Sequence, residues 1–237
     1  AKTPPCQSGC LNCGDIRGWI GLIAQRRKIG FSIQQAYEQA WRKIAEVNPF
    51  PATLGRICPH PCESACNRSK KDEPLAINAM ERFLGDYAIR AGWTFEGEAP
   101  FKRKESVAVI GAGPAGLGAA DILARNGVKA IVFDRYPQIG GLLTFGIPPF
   151  KLEKEIVRRR RRALEEMGVV FHLGLEIGRD VAFHDLLNDH DAVLLGFKPQ
   201  QLRALAPGLR EPEQASRHEQ QCGRHRHFFK RRDVAQA

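Results

Sequence analysis

The sequence predicts two folded regions in series: an all-helical domain over residues 1–95, then an α/β domain with a doubly wound parallel sheet over residues 106–196. Three observations carry this. Six of the seven cysteines lie in the first region, among stretches with helical apolar spacing and no period-2 alternation. The second region alternates short β-rich runs with helix-like segments. Between the first such run and the helix after it lies a glycine-rich turn.

Residues 15–28 place Ile16, Trp19, Ile20 and Ile23 on one face, with Gly30 positioned to end the helix. Ser32 and Gln35 make a capping-box start for a helix whose apolar side is Ile33, Ala36, Tyr37, Ala40, Ile44 and Val47. Asn48-Pro49-Phe50-Pro51 stops it. A third helix begins near Pro74 and runs to Arg90, offering Ile77, Met80, Phe83, Leu84 and Tyr87 for packing. After a polar linker, residues 96–105, come a strand at 107–110, a helix at 115–126 and a strand at 129–133 ending in Asp134, which together make one βαβ unit. A charged helix at 151–167, a strand at 169–172, a short helix at 183–188 and a strand at 192–195 complete an order that suits a doubly wound sheet. Residues 197–237 show no such periodicity and are expected to form an unpatterned, disordered basic tail.

Composition excludes several classes. The chain has 237 residues, 43% hydrophobic and 26% charged, which is ordinary for a globular protein. The longest uncharged stretches, residues 106–120 and 136–150, are 15 residues each and broken by glycine or proline, so no membrane span is expected. The N-terminus has no apolar signal-type segment, which predicts a cytoplasmic protein. Half of the +10 net charge falls in the last 41 residues, so the charge is no argument for nucleic acid. The five-arginine run at 158–162 is flanked by Glu153, Glu155, Glu165 and Glu166 and is better read as a helix face laced with i,i+4 pairs.

Gly111-Ala112-Gly113-Pro114-Ala115-Gly116 follows a predicted strand and opens a predicted helix, the setting of a dinucleotide fold of Rossmann-like type. Gly111 permits the tight turn, Gly113 lets the backbone approach a pyrophosphate, and Gly116 allows close helix-to-sheet packing. Asp134, 23 residues after Gly111, stands where a carboxylate accepts hydrogen bonds from ribose hydroxyls and disfavours a 2′-phosphate. The motif by itself fits FAD or NAD. A second pair, Gly140-Gly141, suits a loop closing over a flavin, though a plain loop pair is the simpler alternative.

The cysteines fall in two groups, Cys6, Cys10 and Cys13, then Cys58, Cys62 and Cys66. In a reducing compartment this density reads as metal binding rather than disulfides. Cys62 and Cys66, four apart, can share one face of a helical turn, and thiolates from the two groups could converge across the helices between them. Interrupted runs of this kind suit an iron–sulfur cluster better than paired zinc knuckles. His60 is read as a solvent-facing residue between prolines, with zinc ligation the alternative, and Cys222 is given no role.

Gly55-Arg56-Ile57-Cys58-Pro59-His60-Pro61-Cys62-Glu63-Ser64-Ala65-Cys66, then Ile77-Asn78-Ala79-Met80-Glu81-Arg82-Phe83, the Gly111 turn, and Phe133-Asp134-Arg135 through Gly140-Gly141-Leu142-Leu143 to Ile147-Pro148 resemble the NADPH-dependent glutamate synthase small-subunit family. That family includes the N-terminal part of dihydropyrimidine dehydrogenase. The resemblance covers about residues 4–196. It implies that NADPH reduces FAD, and that electrons cross 4Fe-4S clusters to a larger synthase or acceptor subunit. It assigns FAD to Gly111, Ala112, Gly113, Pro114, Ala115, Gly116, Asp134, Arg135, Gly140, Gly141 and Leu142. It makes Cys10, Cys58, Cys62 and Glu81 ligands of one cluster, and Cys6 and Cys66 two ligands of another whose remaining pair would lie upstream of Ala1. Cys13 is outside the pattern, either a substitute ligand or a free thiol, and Leu54 stands where cysteine is frequent. No general acid or nucleophile is called for, because hydride and electron transfer belong to the cofactors.

The family continues beyond an Asp-Ala-Val-x-Leu-Gly strand into a second dinucleotide domain for NADPH. Here Asp191-Ala192-Val193-Leu194-Leu195-Gly196 runs into Phe197-Lys198-Pro199-Gln200. The expectation is an out-of-frame or truncated reading from residue 197, with the NADPH domain missing and NADPH oxidation not expected of this chain alone. The alternative function is a non-catalytic iron–sulfur docking module.

Overall fold

The computed structural model describes residues 3–94, residues 103–196, and the backbone of residues 228–230. The chain divides into two compact units with the boundary between residues 95 and 96.

The first unit is helical. In order come α1 (Pro5–Gly9), α2 (Ile16–Ala24), α3 (Ile33–Ala45), α4 (Pro51–Ile57), α5 (Pro61–Ser64), a 3₁₀ turn (Asn67–Lys70) and α6 (Ile77–Ala91). Asp15 caps α2 by accepting from the Gly18 amide at 2.9 Å. The expected capping box opens α3: Ser32 Oγ accepts from Gln35 N at 3.2 Å, and Gln35 Oε1 accepts from Ser32 N at 2.9 Å. Ile16, Trp19, Ala40, Ile44, Cys62, Ile77 and Leu84 form the core.

Two expectations change. The helix at 15–28 stops at Ala24, because Gln25, Arg26, Arg27 and Lys28 offer no apolar side chain to bury. The Asn48-to-Pro51 stop is also a start: Pro51 is the first residue of α4, where its missing amide costs nothing. α4 then crosses α6 at two glycines. A Cβ on Gly55 would stand 2.5 Å from Arg82 Cα, and one on Gly85 would fall on Ala52 N. Arg56 clamps the crossing with a two-pronged ion pair to Asp86, at 2.7 and 3.1 Å.

The second unit is α/β, with β1 (Ser106–Ile110), α7 (Pro114–Arg125), β2 (Lys129–Asp134), α8 (Leu142–Phe145), α9 (Lys154–Glu166), β3 (Val170–Leu173), α10 (Phe183–Asp189), β4 (Ala192–Leu195) and β5 (Phe228–Lys230). The sheet order is β3-β2-β1-β4-β5; the first four strands are parallel and β5 is antiparallel to β4. Three residues of the segment expected to be unpatterned therefore belong to the sheet; the rest of residues 197–237 lie outside the described residues. Ala108, Ile110, Ile131, Phe133 and Val193 pack with Phe183, Leu186 and Leu187 of α10. Val109, alternate to these, faces α7, where a Cβ on Gly116 would lie 3.2 Å from it. Within the arginine run, Arg158 and Arg159 pair with Glu155, and Arg161 with Glu165, as expected. Arg160 departs from that solvated face: it is buried and paired with Asp121 of α7, which Arg125 also bonds. Among the described residues, no helix is long and apolar enough to cross a membrane.

Candidate functional site

Four of the six cysteines of the first unit sit on two copies of one local motif. Pro5-Cys6-Gln7-Ser8-Gly9-Cys10 and Pro61-Cys62-Glu63-Ser64-Ala65-Cys66 each place proline at the first helical position, cysteine at the second, and a second cysteine just past a helix of one turn. α1 packs on α5. Their equivalent small residues touch, since a Cβ on Gly9 would stand 2.9 Å from Ala65 Cβ. The copies pair head to tail, so Cys10 comes beside Cys62, and Cys6 beside Cys66. This corrects the expectation that Cys62 and Cys66 share a face. α5 ends at Ser64, and the chain turns, so the two thiols serve opposite ends of the pair.

Cys58, at the C-cap of α4, joins Cys10 and Cys62. Burial pushes the Cys62 thiol up to about 12, with Cys10, Glu63 and Cys58 adding repulsion. Burial likewise raises Cys58, whose neighbours include Glu81 and Cys10; the His60 amide, 3.4 Å from its sulfur, opposes the shift. His60 is not merely a solvent-facing residue. It adopts a left-handed conformation, φ 44°, that turns the chain between Cys58 and Cys62, and its Nδ1 lies 3.1 Å from Cys58 O.

Glu81 reaches this group from α6. Glu63 Oε1 accepts from Asn78 N at 2.8 Å, which ties the start of α6 to α5, and Asn78 Nδ2 donates to Leu54 O at 3.2 Å, which ties it to α4. The glycine crossing supplies the close approach. Burial raises the Glu81 carboxyl, and a hydrogen bond from Asn48 Nδ2 at 2.7 Å opposes that shift.

Cys6 and Cys66 line a separate cavity of about 540 Å³ with Ile16, Arg17, Arg68 and Leu75. Burial raises Cys6, whereas the Leu75 and Arg68 amides draw Cys66 below the ordinary thiol range. Cys13 has a left-handed backbone, φ 51°, and its amide donates to Cys10 O at 2.9 Å.

This donor set fits a cluster. Its soft thiolates come from separate segments, and among the described residues no three ligand side chains crowd closely enough for a single metal ion. In a cubane each thiolate binds its own iron, so wider spacing is what the cluster requires. The elevated thiols mean that loading must displace protons.

In the second unit the glycine turn lies at the switch point, where β2 and β4 flank β1. Gly111 has φ 105°, and Gly113 caps α7 with no side chain bonded to the helix start. A Cβ on Gly113 would meet nothing within 4 Å, whereas one on Gly116 would overlap Gly111 O. The open space at Gly113 faces an uncapped helix start, which fits a pyrophosphate. Asp134 Oδ2 accepts from Ala112 N at 2.6 Å and Oδ1 from Tyr136 N at 2.9 Å, so the carboxylate also fixes the turn. Gly140 N donates to Ala112 O at 2.7 Å, and a Cβ on Gly141 would lie 3.1 Å from Gly113 Cα, so the second glycine pair closes on the first. Lys154 Nζ bonds Leu143 O at 2.8 Å and also Ile147 O, bracing that loop. Leu142 and Arg135 are exposed, and Arg135 lies over the Tyr136 ring at 5.0 Å.

Sequence reasoning missed Asn48, read only as part of a helix stop, and Gly196 as a contact of the turn. A Cβ on Gly196 would stand 3.1 Å from both Gly111 O and Gly116 Cα. The repeated Pro-Cys-x-Ser-small-Cys was visible as a signal for the paired α1 and α5.

Residues 1–93 match the family model for dihydropyrimidine dehydrogenase domain II, 4Fe-4S cluster, and residues 106–176 match the FAD-dependent oxidoreductase model. The chain is 45% identical over 202 residues to the glutamate synthase [NADPH] small chain of Halomonas elongata and 44% identical over 201 residues to that of Escherichia coli. Each alignment covers 79% of this chain and 41% of the relative. It is 50% identical over 198 residues to the putative oxidoreductase UacF of Escherichia coli, covering 83% of this chain and 30% of that protein. The chain thus spans about two fifths of the small chains it matches. It carries a helical iron–sulfur domain and a Rossmann-like FAD domain, and 4Fe-4S and FAD are the cofactors of those domains.

Proposed function

We propose that this chain is the cluster-and-flavin portion of an NAD(P)H-linked electron-transfer oxidoreductase, delivering electrons to a larger subunit that makes glutamate. Cys10, Cys58, Cys62 and Glu81 hold one 4Fe-4S cluster, and Cys6 and Cys66 supply two ligands of a second. Gly111, Ala112, Gly113, Pro114, Ala115 and Gly116 cradle the FAD pyrophosphate, Asp134 and Arg135 border the ribose, and Gly140, Gly141 and Leu142 close the loop beside it. Held there, FAD would supply the change from two-electron hydride chemistry to single-electron transfer, and the cluster held by the thiolates would supply a one-electron carrier. The helical unit would hold the cluster on thiols of which Cys62 is buried and Cys10 and Cys58 are half-buried, and the α/β unit would hold FAD at its glycine turn.

The observation that carries the reading is the meeting of half-buried Cys10 and Cys58 and buried Cys62 with Glu81 from α6 in one neighbourhood. Anaerobic reconstitution followed by iron, sulfide and flavin analysis tests it. About one FAD and about four irons with equal sulfide per chain are expected for one complete cluster, with iron lost on Cys10→Ala, Cys58→Ala or Cys62→Ala. Colourless protein without iron or flavin overturns it. Bleaching of the flavin by NADPH supports the enzyme, whereas iron without flavin supports the docking module. The order of electron transfer is tested by reducing the flavin anaerobically and following the cluster signal.

A further inference from the structure

We infer that Asn48 is a positioning residue for the cluster, holding Glu81 in its ligating geometry and setting the cluster's reduction potential. The inference rests on the reading of Glu81 as a ligand. Asn48 lies just beyond α3, at the entry to α4, and is 3% exposed. A primary amide is costly to bury unless both its ends are bonded. Its Oδ1 accepts from Phe50 N at 2.9 Å, a turn that leads the chain into α4. Serine or aspartate would supply that acceptor equally well. What asparagine adds is an N–H donor, and this donor goes 33 residues away, to Glu81 Oε1 at 2.7 Å.

The bond crosses from the α3–α4 connection to α6 and has two effects. It fixes the Glu81 side chain in one orientation, and with Oε1 engaged Oε2 would be the better donor to an iron held there. It also draws electron density from the carboxylate, which favours the reduced cluster. Without the donor, a carboxylate reaching in from α6 would be oriented by iron alone, its anionic charge uncompensated in a buried setting.

The test uses the full chain loaded anaerobically, with N48S, N48D, E81A, E81Q and the double variant N48D/E81Q. N48S keeps the turn acceptor and loses the donor. N48D sets a second carboxylate against Glu81. N48D/E81Q restores a hydrogen bond with donor and acceptor exchanged. The measurements are the cluster midpoint potential by EPR-monitored titration, the rate of iron loss to a chelator, and flavin content as an internal control. N48S and N48D are expected to move the potential to more negative values and to speed iron loss several-fold with flavin content unchanged. The double variant should lie closer to E81Q than N48D lies to the wild type. Wild-type potential and iron-loss rate in N48S overturn the inference and leave Asn48 a turn residue. Should N48S fail to fold, the double variant decides: no recovery relative to N48D overturns the inference. An E81A protein with wild-type spectrum and potential sinks the ligand reading itself. An altered E81A beside unaltered N48 variants sinks only the positioning role.

Discussion

Replacing Gly85 by alanine sets two opposing effects against each other at the crossing of α4 and α6. Alanine is the better helix former, by roughly 0.8–1.0 kcal/mol in a helix interior. The new Cβ, however, would fall on Ala52 N and lie 2.6 Å from Ala52 Cα and 2.8 Å from Pro51 C. Ordinary carbon contacts are about 3.5–4.0 Å, so α4 must retreat by roughly 1 Å. Its neighbour here is backbone, which cannot swing aside as a side chain can. Such overpacking costs about 1–3 kcal/mol, which offsets the propensity gain and leaves a net loss of about 0–2 kcal/mol. Gly21 is the control, because it lies in α2 and a Cβ there would meet nothing within 4 Å. Gly21→Ala should therefore stabilise by up to about 1 kcal/mol. Urea unfolding followed by far-ultraviolet circular dichroism measures both, with unchanged m values confirming that stability moved. Gly85→Ala should also release iron faster, since α6 carries Glu81 and α4 ends at Cys58. Equal stabilisation by the two substitutions would refute the close crossing.

Gly113→Ala should leave the unloaded fold within about 0.5 kcal/mol of wild type, because its Cβ enters open space. The same change should weaken FAD binding at least tenfold, about 1.4 kcal/mol; wild-type affinity by flavin titration would count against the pyrophosphate site. Asp121→Leu should cost about 3–5 kcal/mol by removing the carboxylate that pairs with buried Arg160. Adding Arg160→Met should restore much of this, and simple additivity would contradict the pairing. In metal-free protein the Cys62 thiol is raised from 9.0 to about 12, so its contribution to stability is fully present below pH 9.0 and fades as the pH climbs toward 12. The loss approaches about 1.4 kcal/mol per pH unit, and a Cys62→Ala variant with an unchanged pH profile would refute the assignment.

The elements set by short-range chemistry were legible in the sequence. The Ser32 capping box, the strand before Gly111 and the Asp134 that ends β2 each depend on neighbours a few residues away. What escaped was set by distant contacts. α4 has seven residues and no apolar stripe of its own, and it exists because Pro51 starts it and Gly55 lets it press on α6. The division of thiols between two sites could not follow from spacing, since four residues separate Cys62 from Cys66 whether or not the helix continues. It was decided where α5 stops. Asn48 was invisible as a positioning group because its donor bond spans 33 residues.

The two sites use small residues for opposite ends. In the helical unit the thiols of Cys10, Cys58 and Cys66 sit at helix boundaries, where the backbone direction changes. Their separation is governed by how closely the short helices approach, and hence by Gly9, Gly55 and Gly85, none of which bears a ligand atom. If the thiols hold the cluster as proposed, a methyl group at any of these positions would act on metal retention through stability. In the α/β unit a Cβ on Gly113 enters open space, so under the proposed pyrophosphate site a methyl group there would act on affinity and spare the fold. The empty side of a glycine, read from what a Cβ would meet, therefore separates residues that build a site from residues that leave room for its occupant.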